Sequence, residues 1–258
     1  MKILFGSAGT GGLGYERGLE TCKDMGLDAM EVEFTYGVRM TDAQAKNVGK
    51  LAKELNIRLS VHAPYYINLA SKEKAKLNAS KKRILMSCER AHHLGASPVV
   101  FHAGFYQQRN PEDVHDMIKK EINALKQKIK EKKWKVRLAP ETTGKPSQYA
   151  GLDELLRLKK GTRCYLCIDF AHLYARAQGD IDYTGIMKKI KRFSHIHAHF
   201  SGITYTSKGE RSHKLMEKDF FMPLAKAIKK AKPRSMTIIC ESPDPMGDAV
   251  KMKEWFES

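Results

Sequence analysis

The stretch Ile57-Arg58-Leu59-Ser60-Val61-His62-Ala63-Pro64 decides how the rest of the chain is read. A short, largely apolar run rises to a histidine, and Ala-Pro then halts regular structure. Such a segment reads as a buried strand that delivers one imidazole at its C-terminal end. The same pattern recurs with different last residues. Pro98 to Phe101 leads to His102, Lys135 to Pro140 leads to Glu141, and Cys164 to Ile168 leads to Asp169, with His172 close behind. Ser194 to Ala198 leads to His199, and Met236 to Cys240 leads to Glu241. Strand after strand ends on a residue type that binds metal ions.

Around these segments, strand and helix signals alternate along the whole chain. Strands are expected at Lys2–Gly6, Ala29–Phe34, Arg58–His62, Pro98–Ala103, Lys135–Glu141, Arg163–Asp169, Phe193–His199 and Ser235–Glu241. Amphipathic helices are expected at Tyr15–Met25, Asp42–Leu55, Lys72–Leu94, Pro111–Lys132, Leu152–Lys159, Tyr183–Lys191, Phe220–Lys230 and Asp248–Phe256. Thr41-Asp42 and Asn110-Pro111-Glu112 carry helix-start chemistry, and Gly26, Gly95 and Gly161 suit helix ends. Repeated βα units imply a parallel sheet, and closing it gives a (β/α)8 TIM barrel in a single domain over residues 1–258. An open doubly wound sheet is the alternative. At 258 residues the length fits a barrel, which typically needs about 250.

Strand parity carries the argument from fold to site. Along Phe193–Phe200, Ile196, Ala198 and Phe200 share one face, while His195, His197 and His199 share the other. Along Lys135–Glu141, Val136, Leu138 and Pro140 oppose Arg137, Ala139 and Glu141. The ligand-type residues therefore face away from the helix-packing residues, into the barrel. Glu31, Glu33 and Arg137 are expected to point inward too, as ion-pairing partners.

Composition narrows the classes. No apolar run approaches the ~20 residues of a membrane span. The N-terminus reads as a first strand rather than a signal peptide, so a cytoplasmic protein is expected, as a monomer. The five cysteines are scattered, which argues against a disulfide framework. Cys164 and Cys167 have ribbon-like spacing, but on a strand they point to opposite faces. The net charge of +17 favours polyanionic partners.

The candidate metal ligands are His62, His102, Glu141, Asp169, His172, His199, Glu210, His213 and Glu241. His197 competes with His199, both facing inward and His199 lying nearer the strand end. Mixed imidazole and carboxylate donors suit zinc or manganese. So many ligands exceed one tetrahedral site, and neighbouring ions need a shared carboxylate, for which Glu141 is the natural bridge.

Several of these segments resemble the signature segments of the endonuclease IV family, within the wider xylose-isomerase-like barrels. They are Ser60-Val61-His62-Ala63-Pro64-Tyr65-Tyr66-Ile67-Asn68-Leu69, Val100-Phe101-His102-Ala103-Gly104, Pro140-Glu141-Thr142-Thr143-Gly144, Cys167-Ile168-Asp169-Phe170-Ala171-His172 and Ile239-Cys240-Glu241-Ser242-Pro243. The resemblance covers essentially the whole chain in order. It implies a zinc centre of two to three ions that cuts double-stranded DNA on the 5′ side of an abasic nucleotide, using a metal-activated hydroxide. On this resemblance, His62, His102 and bridging Glu141 hold one zinc, and Glu141, Asp169, His199 and Glu241 hold the second. His172, Glu210 and His213 hold the third. Glu141, Asp169 and Glu241 are then the catalytic carboxylates, and Tyr65, Asn68 and Arg39 are expected to touch DNA. Three segments depart from the family pattern: Glu210-Arg211-Ser212-His213 is one residue longer than the usual third-site run, His199-Phe200-Ser201-Gly202 lacks the Asn-Asp that often follows the ligand histidine, and the loop Thr35 to Met40 is short. Two rivals remain: a single-metal sugar isomerase or epimerase of the same superfamily, needing only Glu141, Asp169, His199 and Glu241, and a nucleic-acid-binding barrel without catalysis.

Overall fold

The computed structural model describes residues 1–258. Eight of its strands form one sheet. In chain order they are β1 (Lys2–Ala8), β2 (Ala29–Glu33), β3 (Arg58–His62), β4 (Val99–Phe101), β5 (Leu138–Pro140), β6 (Cys167–Asp169), β7 (Ile196–Phe200) and β10 (Ser235–Cys240). They pair in parallel in the order β5-β4-β3-β2-β1-β10-β7-β6. The two ends of that order also meet: Glu141 bridges Cys167 in parallel, and Thr142 N donates to Cys167 O at 3.1 Å. The sheet is therefore closed, which excludes the open doubly wound alternative.

Helices pack around the outside: α1 (Tyr15–Asp24), α2 (Asp42–Glu54), α3 (Lys74–Leu94), α4 (Pro111–Glu131), α5 (Leu152–Thr162), α7 (Tyr183–Ile190), α8 (Lys218–Ala231) and α9 (Pro245–Glu257). Their start chemistry is as the sequence implies. Thr41 accepts from Gln44 N at 3.2 Å, and Asn110 accepts from Glu112 N at 2.9 Å with Pro111 in the first turn. Gly95 ends α3 in the left-handed region, where it pays no Cβ penalty. Gly161 does not act as a helix end. It lies inside α5, and Arg163 takes the left-handed position at φ 56°.

Two elements are additional to the sequence reading. A short helix, α6 (Phe170–Arg176), starts directly on the end of β6. A two-stranded antiparallel hairpin, β8 (Gly202–Thr206) and β9 (Gly209–Lys214), rises beyond the end of β7. The run Glu210–His213 thus lies on a strand that the sequence reading did not assign.

The main apolar core lies between strands and helices, with 64 buried residues including Val136, Leu138, Leu166, Ile168, Ile196, Ala198 and Phe200. A separate cluster of Val100, Ala139 and Cys167 fills part of the barrel interior. This division follows the strand parity, and it leaves the polar inward residues stacked toward the C-terminal rim. Arg137 departs from its expected role: it bonds the Tyr165 hydroxyl, while Glu31 pairs with histidines.

Candidate metal centre

Glu141 is placed by a strand end whose backbone is held on both sides. Glu141 N donates to Phe101 O at 3.0 Å, which fixes the step out of β5. The Glu141 side chain is fully buried, and imidazoles crowd both of its oxygens. His102 Nε2 lies 2.9 Å and His62 Nε2 3.2 Å from Oε2, and His199 Nδ1 lies 2.9 Å from Oε1.

Neighbouring carbonyls set which ring nitrogens are free. His62 Nδ1 lies 2.7 Å from Ala63 O, an acceptor only, so Nδ1 stays protonated and Nε2 is the nitrogen left for an ion once its proton is lost. His172 Nδ1 likewise donates to Thr142 O at 3.0 Å, leaving Nε2 3.2 Å from Glu210 Oε2. Asp169 divides its oxygens. Oδ1 accepts from His172 N at 2.7 Å and caps α6, while buried Oδ2 makes no hydrogen bond and lies 3.2 Å from His172 Nδ1. One aspartate thereby ends a strand, starts a helix and keeps an oxygen for the cluster.

The donors form three connected groups: His62, His102 and Glu141; Glu141, Asp169, His199 and Glu241; and His172, His213 and Glu241. Within each group the donor atoms lie within 4.8 Å of one another. Glu141 joins the first two groups, and Glu241 joins the last two. The cavity above them is about 310 Å³, and its lining includes Tyr65, Phe105, Lys145 and Gln148.

The electrostatics are those of a site short of cations. Burial works against charge on His62, yet its bond to Glu141 and the charges of Glu33 and Glu141 outweigh it and hold the imidazole up to about 10. Burial opposes His172 as well, and Asp169 and Glu210 lift it to about 9. Burial pushes the Asp169 carboxyl up to about 8, against the pull of His172. Glu241 goes the other way: burial disfavours its charge, but His199 holds it down to about 2. Protons and imidazolium charges here do the neutralising that a metal ion would do. With a buried Asp169 oxygen that makes no hydrogen bond and mixed nitrogen and oxygen donors, the residues fit divalent ions of the zinc or manganese type.

The sequence profile described as "Xylose isomerase-like TIM barrel" matches residues 19–258. The chain belongs to that family. A similar relative is an uncharacterised protein of Methanocaldococcus jannaschii, 35% identical over 99% of this chain and 97% of its own length. A probable endonuclease 4 of Aster yellows witches'-broom phytoplasma is 27% identical over 62% of this chain and 59% of its own length. Among solved structures, a D-tagatose 3-epimerase-like protein superposes with a TM-score of 0.76 at 18% identity, covering 100% of this chain and 96% of that one. Endonuclease IV from Thermus thermophilus superposes with a TM-score of 0.72 at 19% identity, covering 100% and 99%. At such identities these two share a fold with this xylose isomerase-like barrel.

Not every sequence-derived site residue reaches the centre of this family barrel. His197 sits one layer deeper, its Nε2 bonded to Glu31 Oε2 at 2.8 Å, in a buried group with Cys167 and His199 rather than with Asp169 and Glu241. Tyr65 stands at the rim, its ring 5.7 Å from that of His62 and half-exposed. Asn68 turns inward on its own loop, where Oδ1 accepts from Ala70 N at 3.0 Å. Arg39 is exposed on the loop after β2, and neither it nor Asn68 lines the cavity.

Other contributors were missed or given another role. Glu31, fully buried, touches both inward histidines of β7: His197, and His199 Nε2 at 2.8 Å. Strand parity had pointed it inward without naming its partners. Lys145 reaches the cavity from the loop after Glu141, near Glu210 at 3.8 Å. No spacing rule marks a lysine in such a loop.

Proposed function

We propose that the protein is a zinc-dependent DNA-repair endonuclease that hydrolyses the phosphodiester on the 5′ side of abasic sites in double-stranded DNA. The observation that carries this reading is Glu141, with His62 and His102 against one oxygen and His199 against the other. A carboxylate flanked in this way is suited to join two ions. A barrel enzyme using a single ion needs only Glu141, Asp169, His199 and Glu241, and would leave His62, His102, His172 and His213 without a task.

Bound divalent ions would supply a hydroxide at ordinary pH and neutralise charge on the reacting phosphate. The chain's own contribution is position. His62 and His172 have their rings locked by backbone carbonyls, so their free nitrogens need no reorganisation. Lys145 and His213 stand where a phosphate entering the cavity would lie, and Tyr65 and Phe105 give that entrance an aromatic edge. Such an edge suits a nucleotide lifted from the stack, which is easiest where the base is missing. The net charge of +17 supports binding to DNA backbone without reading sequence. The probable endonuclease 4 relative points the same way.

The fold likeness to a D-tagatose 3-epimerase-like protein favours a second reading, a single-metal ketose epimerase. One experiment separates the two. The metal-loaded protein is incubated with a duplex carrying one abasic site, with and without chelator, and in parallel with ketohexoses. Nicking 5′ to the lesion that chelator abolishes supports the nuclease. An intact duplex together with turnover of a ketose overturns it.

A further inference from the structure

Charged side chains also gather where two of the barrel strands begin. Arg58 opens β3, Arg137 directly precedes β5, and Lys135 lies two residues before Arg137. With Ser97, Tyr165 and His195 they line a cavity of about 220 Å³ at the N-terminal mouth, opposite the metal centre. From Arg58 to His62 the strand climbs four residues, roughly 13 Å.

None of the three cations is paired with a carboxylate. Arg58 Nη1 instead lies 3.4 Å from both ring nitrogens of His195. That ring is occupied by Ser235 Oγ at 2.9 Å and Thr237 Oγ1 at 3.2 Å. Burial, and then Arg58, push His195 down to about 3, so the ring brings no charge of either sign. Arg137 donates to the Tyr165 hydroxyl and lies over its ring, 4.4 Å from the centroid. That hydroxyl, already accepting from Arg137, keeps its own proton to donate elsewhere. Two residues further along β7 the contrast is plain: His197 has Glu31 as its counterpart, and the mouth has nothing equivalent. The nearest carboxylate of the adjoining groove, Asp28, is already bound to Lys253 at 3.2 Å.

We propose that the N-terminal mouth of the barrel binds a phosphate-type oxyanion between Arg58, Lys135 and Arg137, with the Tyr165 hydroxyl as a further donor. Forked guanidinium donors match a tetrahedral oxyanion, and three exposed cations converge on this one cavity. The anion is either free phosphate or the phosphate of a small monoester. A second cavity of about 870 Å³ shares Arg58 and Ser97 and is partly lined by Leu4, Ile57 and Leu59, which gives an organic group a surface to lie on.

The test is calorimetric titration of the metal-loaded full chain with inorganic phosphate and with adenosine monophosphate, at ionic strength held constant with chloride. Each titration is repeated with chelator, which removes any phosphate held at the opposite rim. One saturable site that survives chelation is expected. Arg58→Gln and Arg137→Gln should each weaken it by about 10- to 100-fold. Arg17→Gln, an equal loss of charge at an exposed position of α1, should leave it unchanged. Tighter binding of adenosine monophosphate than of phosphate identifies a monoester as the occupant, and equal binding identifies free phosphate. Absence of saturable binding in chelator, or an equal weakening in Arg17→Gln, overturns the proposal.

Discussion

Glu141 has no solvent to fall back on, so its charge is carried entirely by the groups around it. Glu141→Gln keeps the shape but offers one of the flanking sides an amide instead of a second anionic oxygen. Nicking of an abasic duplex should fall by at least about a thousandfold while the far-ultraviolet circular dichroism is unchanged. Wild-type activity in the variant would remove Glu141 from the centre. Glu31 acts one step back, through the histidines of β7. A carboxylate behind a ligating imidazole orients the ring and raises its basicity. Glu31→Gln should therefore weaken metal binding by about 10- to 100-fold, read in a competition with a chelating dye. Unchanged affinity would make Glu31 a packing residue only. At this scale the strand-end ligands were legible because each closes an apolar run. The partners of Glu31 were not, since pairing across the barrel depends on the register of strands far apart in sequence.

The hairpin β8–β9 is the element that brings His213 to the third group of donors and sets Glu210 Oε2 3.2 Å from His172 Nε2. It hid from the sequence reading because only its first residues are buried. Thr204, Tyr205 and Thr206, and then Arg211, Ser212 and His213, all face solvent, so no apolar alternation marks either strand. The hairpin is seated on Gly144, whose N–H donates to Glu210 Oε2 at 3.0 Å. A Cβ at Gly144 would collide with the Glu210 carboxylate. Gly144→Ala should thus displace Glu210 from His172 and cost one bound ion per chain, with the remaining ions retained. Elemental analysis checks this, and an undiminished metal content would contradict it. The short helix α6 escaped notice for a related reason: it begins on the strand's last residue, with no loop to announce it.

At the scale of the whole molecule, the barrel was legible because strand parity and helix caps agree along the entire chain. Its closure was expected as the economical arrangement of repeated βα units, and it rests on the Glu141–Cys167 bridge between strands of three residues each. The buried rim also couples metal, protons and stability. In the metal-free protein His62 and His172 keep their protons up to about 10 and about 9, against an ordinary 6.5. Their contribution is complete below pH 6.5 and is lost as pH rises through 9 to 10. Asp169, held at about 8 against 3.8, costs stability over the rise between those values. All three act in one direction, so metal-free protein should melt lower at about pH 9 than at about pH 6. Bound ions need these ligands deprotonated, so the rise in Tm on adding zinc should be larger at the higher pH. Thermal melts with and without chelator at both values decide it, and a larger zinc effect at the lower pH would contradict the ligand set.

The central claim is that one rim gathers enough imidazoles and carboxylates to hold a cluster of ions bridged by Glu141. Elemental analysis of zinc and manganese bound to the purified protein tests it most directly. Two to three ions per chain are expected, and a single ion per chain would contradict it.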